Sequence, residues 1–102
     1  MHWNLTSKDR LLTAIRFAEE YKFLEKFLLE LLTKKEMRLL SNRLEIMCLL
    51  YDGASYKQIE KTFSYSSATV AKLAKIVNNK ESHFHMVMTM FKDRGHKRHP
   101  DD

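Results

Sequence analysis

With 102 residues the chain has room for one domain and a modest core, so a partner subunit would help it bury apolar surface. A single cysteine, Cys48, excludes an internal disulfide framework and suits a reducing, cytoplasmic setting, while the greasiest window, Phe23 to Leu32, is broken by Glu25, Lys26 and Glu30 and cannot span a bilayer. The formal charge of +5 is unevenly placed: residues 55–80 hold five lysines against Glu60 alone, whereas 1–54 hold nine basic against eight acidic residues and 81–102 four of each. Such a focus is the footprint of a nucleic-acid-binding face, although a charge run is often only a solvated surface.

The start mixes polar and charged residues and carries no targeting signal. Of 2 Gly and 1 Pro, Gly95 and Pro100 fall in the last eight positions, which leaves Gly53 as the one strong breaker before them and points to an all-α fold. Thr6 with Asp9 can cap a first helix, and a wide apolar stripe from Leu11 through Leu32 continues to Thr33 as one helix or as two with a bend near Tyr21 and Lys22. Phe17, Tyr21 and Phe23 widen that stripe beyond one face, which suits either a dimer or a bundle.

Thr33 and Glu36 form a second capping box, opening a helix with Leu40, Leu44, Met47, Cys48 and Tyr51 inward and Gly53 at its end. Ser55 with Gln58 is a third, starting a short helix with Ile59 and Phe63 as its apolar positions. Ser64 and Tyr65 make a turn, Ser66 or Ser67 caps the next helix, and Val70, Leu73, Ala74 and Val77 form its stripe. A last amphipathic helix is expected from about 81 to 92, followed by a solvated tail from 94 to 102, so that residues 1–93 make one domain.

Two short helices joined by a tight turn, the second opening on hydroxyls and showing lysines outward, describe a helix-turn-helix over about 55–79. Ser66, Ser67 and Thr69 suit phosphate oxygens or base edges, and Ala68 and Ala71 permit close approach and contact with a thymine methyl. Lys72 and Lys75 reach toward guanine or phosphate, while Tyr56, Lys57 and Lys61 would hold the backbone. The alternative reading is a helical protein-interaction module whose lysines are merely solvated. Glu60 stands where alanine is common in such motifs, and Ser64 where glycine usually supplies positive φ, which suggests a slightly different turn.

Residues 28–73 resemble the Trp repressor family, in the "LLT..E" helix start, the "RLEI..LL.DG" helix and the "ATV" opening of the second short helix. The likeness is closer to the YerC/YecD-type relatives, which are not tryptophan-dependent as a group. The resemblance implies an intertwined all-α homodimer that binds a palindromic operator on double-stranded DNA and represses transcription. It also implies a ligand pocket at Thr33, Arg43, Lys72, Leu73 and Ile76. Thr33 and Arg43 fit that pattern; Lys72 keeps charge without the guanidinium fork. Leu73 replaces a glycine beside the indole slot and Ile76 a small polar residue, so apolar side chains fill the place of tryptophan. Tryptophan is thereby disfavoured as effector, which leaves room for another small-molecule corepressor.

Other signals carry less. "HFHMVMTM", 83–90, reads as core or dimer contacts in preference to a copper site, because its His and Met residues fan around a helix. His96 and His99 lack a metal-ligand framework. Lys92, Arg94, Lys97 and Arg98 suggest a secondary DNA-contacting arm. No phosphate loop, activated cysteine or catalytic carboxylate pair is recognisable, so neither an enzyme nor a cofactor is expected.

Overall fold

The computed structural model describes residues 6–95, and within them the chain forms six helices and no strand. These are α1 (Ser7–Glu20), α2 (Leu24–Leu31), α3 (Lys34–Tyr51), α4 (Tyr56–Phe63), α5 (Ser67–Asn78) and α6 (His83–Asp93). The chain divides into two compact units between Leu39 and Leu40. His96, Lys97, Arg98 and His99 lie outside the described residues.

In the N-terminal unit, Thr6 caps α1 by accepting from the Asp9 N–H at 3.1 Å. The long stripe resolves into two helices. Lys22 takes φ 64°, and Lys22 and Phe23 N–H groups donate back to the Glu19 and Ala18 carbonyls, a Schellman closure that stops α1. Phe23 then begins the turn into α2, which packs on α1 with Ala18 buried between them. Thr33 and Glu36 close their capping box in both directions: the Thr33 N–H donates to Glu36 Oε1 at 2.8 Å and the Glu36 N–H to Thr33 Oγ1 at 3.0 Å. The Thr33 backbone N–H first, and the Thr33 hydroxyl second, hold the Glu36 carboxyl below the usual carboxylate range. A carboxyl so depressed stabilises the fold above its unfolded-chain value, and that contribution fades as pH falls through the lowered one.

In the C-terminal unit α3 ends by the same device with the expected glycine. Gly53 has φ 92°, its N–H donates to Leu50, and Ala54 donates to Leu49. The core is a cluster of Ile46, Ile59, Val70 and Leu73, each no more than 2% exposed, flanked by Leu49, Leu50, Phe63 and Tyr65. The inward face of α3 matches the expected one at Cys48, which is buried, and at Met47 and Tyr51, which are half-buried, and differs from it at Leu40 and Leu44. Ile46 and Cys48 are buried, but Leu40 and Leu44 are 54% and 47% exposed in the single chain. Leu40 and Leu44 stand outside the cluster that Met47 and Ile46 share with α4 and α5, so periodicity identifies an apolar stripe without saying what covers all of it.

The expected deviation in the turn is absent. Ser64 itself adopts φ 56° and ψ 37°, the left-handed conformation that glycine would otherwise supply, and closes α4. Further along, α6 begins at His83, two residues later than expected, because Ser82 is its cap and accepts from the His85 N–H at 3.3 Å. Met88 is buried and His85 is partly so, its Nε2 donating to the Val77 carbonyl at the end of α5 and its ring set edge-on to Tyr51. Met86 and Met90 are exposed. Because a side chain in the left-handed region costs about 1 kcal/mol, Ser64→Gly should raise stability by about 0.5–1 kcal/mol in urea unfolding with m unchanged; a loss of stability would show that the serine side chain contributes there.

Candidate nucleic-acid interface

The face is built by α4 and α5, which pack directly on one another. Ile59, Val70 and Leu73 are buried between them with Ile46 from α3, and that burial fixes which sides of both helices look outward. On α5 the outward side carries Ser67, Ala68, Ala71, Lys72 and Lys75, all exposed; on α4 it carries Tyr56, Lys57 and Lys61, also exposed. Every residue expected on the helix-turn-helix face therefore lies on this pair of helices or at the Ser66 cap between them, and each is exposed except Thr69, which is half-buried. Of the expected secondary arm, Lys92 and Arg94 lie on α6 and just after it, and Lys97 and Arg98 lie outside the described residues.

The hydroxyls divide into two sets. Ser66 is the cap of α5: its Oγ accepts from the Thr69 N–H at 3.2 Å and shares a hydroxyl–hydroxyl bond with Thr69 Oγ1 at 2.9 Å. Both are engaged in starting the helix. Ser67 points elsewhere and donates from Oγ to Glu60 Oε1 at 2.6 Å, tying the first residue of α5 to the middle of α4. Glu60, which stands where alanine is common in such motifs, is the acceptor of that bond. Sequence reading missed the pairing because the two residues are seven apart and meet only when the turn has formed.

The positions of the proposed ligand pocket fare differently. Leu73 has no solvent exposure and belongs to the cluster with Ile46, Ile59 and Val70. Ile76 remains 38% exposed, and Lys72 and Arg43 are exposed. Of the two apolar substitutions only Leu73 packs into this unit. Thr33 lies in the N-terminal unit, where its hydroxyl is engaged in the α3 cap.

Among the described residues no helix is long and apolar enough to cross a membrane, and no three His, Cys, Asp or Glu side chains gather as a metal site. No curated protein and no solved structure matches the chain. A family model described as Trp repressor protein does match, over residues 6–92, and the match runs through both units and all the helices of the face. The chain belongs to the Trp repressor family, whose members are helix-turn-helix regulators rather than enzymes.

Proposed function

We propose that the protein is a cytoplasmic, dimeric transcriptional repressor that binds a palindromic operator through α4 and α5 without using tryptophan, as the YerC/YecD-type members do. The observation that carries the reading is the exposed basic side of the helix pair, where Lys57, Lys61, Lys72 and Lys75 surround small residues able to approach a groove. Phosphate contacts by lysine supply affinity, and short side chains at Ala68 and Ala71 let the helix backbone come close to base edges. Residues 1–93 act together as one domain in this reading, with residues 94–102 as a tail.

Dimer formation is supported by the large apolar side chains that the single chain leaves open. Phe17, Tyr21, Leu29, Leu31, Leu40 and Leu44 are between 47% and 70% exposed, more than a soluble monomer ordinarily shows in so short a span. A second copy would cover them and set two copies of α5 about one DNA turn apart, roughly 34–36 Å. Tryptophan independence is supported by Leu73. Its isobutyl group fills the core behind α5, so packing holds the helix at an angle that a ligand would otherwise select. A corepressor other than tryptophan fits this reading as well as none.

Two measurements test it. Affinity for operator DNA should fall steeply with salt; Lys57→Ala should weaken all sequences alike and reduce the salt slope by about 1, and Ala71→Glu should abolish binding. An absence of any gel shift at low salt with micromolar dimer would favour a protein-interaction module instead. Calorimetry should detect no saturable tryptophan binding, and tryptophan should leave operator affinity unchanged; a tenfold tightening, about 1.4 kcal/mol, would contradict the role given to Leu73.

A further inference from the structure

We propose that Ser67 and Glu60 form a base-selective pair that reads an exocyclic amino group, cytosine N4 or adenine N6, at one position of each operator half-site. The inference rests on the DNA-binding reading above and names what that face selects. A serine hydroxyl has one hydrogen to give and two lone pairs that accept. Ser67 gives its hydrogen to Glu60 Oε1 at 2.6 Å, within the range of a strong hydroxyl–carboxylate bond. With that hydrogen spent, the Oγ of the exposed Ser67 is left with lone pairs alone.

Position makes this arrangement selective. Ser67 is the first residue of α5, and the N-terminal residues of a recognition helix are those that meet base edges. In the major groove the amino groups of cytosine and adenine are donors, while guanine O6 and N7 and thymine O4 are acceptors. An acceptor facing guanine or thymine would be left unmatched, and desolvating it without a donor is unfavourable. Ser66 and Thr69 spend one hydroxyl hydrogen on the bond between them and keep the other, so the selectivity is assigned only to the base that Ser67 itself meets.

Glu60 is also the only carboxylate among five lysines in residues 55–80. A negative group there weakens attraction to phosphate, so its contribution to binding lies in orienting Ser67. Freed of Glu60, the hydroxyl could rotate and donate, and guanine and thymine would become acceptable.

The test is selection of bound duplexes from a random library by the full chain and by its Ser67→Ala and Glu60→Ala variants, followed by base-analogue titration. Ser67→Ala should flatten one position per half-site and leave the others as they were, and Glu60→Ala should broaden that same position. There, an analogue lacking the amino group, purine for adenine or 2-pyrimidinone for cytosine, should weaken the unmodified protein about tenfold and leave Ser67→Ala unaffected. Identical selections by the unmodified and Ser67→Ala proteins would overturn the inference, as would an equal loss by both proteins when the amino group is removed. Both variants alter exposed or half-buried side chains, and circular dichroism checks that each folds. A protein that selects no sequence at all would remove the DNA-binding reading itself, an outcome distinct from a selection that Ser67→Ala leaves unchanged.

Discussion

Burial of Ile46, Ile59, Val70 and Leu73 against one another is the constraint on which the rest depends. Each comes from a different turn of α3, α4 or α5, and none keeps more than 2% of its surface in water. Fully burying such side chains is worth about 1.5–3 kcal/mol apiece, a large share of the net stability of a small domain. The same burial assigns the faces. Once Val70 and Leu73 point inward, the helical period leaves Ala68, Ala71, Lys72 and Lys75 outside, so one packing event creates both the core and the basic surface.

On the proposed reading, Leu73 also bears on regulation. Where a family member leaves space beside this helix for a ligand, the helix angle can respond to the ligand's concentration. On that reading, a leucine packed into the cluster takes that freedom away from tryptophan, and packing holds the helix pair in its place.

Much of this was legible in the sequence because it rests on local rules. Side-chain caps at Thr6 and Ser55, the capping box at Thr33 and the glycine at 53 place helix boundaries through side-chain and backbone bonds reaching no further than three to five residues. The alternation of apolar and polar positions on α5 likewise gave its inward and outward sides. What was not legible depends on tertiary meeting. Leu40 and Leu44 looked internal because they are apolar at helical spacing, yet a stripe states that something covers it without saying whether the same chain does so. Ser64 looked like a departure because its type is uncommon at positive φ, and the surrounding packing nonetheless holds it there. The Glu60–Ser67 bond links residues on two helices and has no sequence signature of its own.

The central claim, that α4 and α5 are the surface this protein offers to DNA, is tested most directly by following backbone amide shifts by NMR as duplex operator is added. The account predicts perturbations concentrated at residues 56–61 and 66–76, strongest at the start of α5. Perturbations centred on α1 and α2 that leave the helix pair unmoved would contradict it.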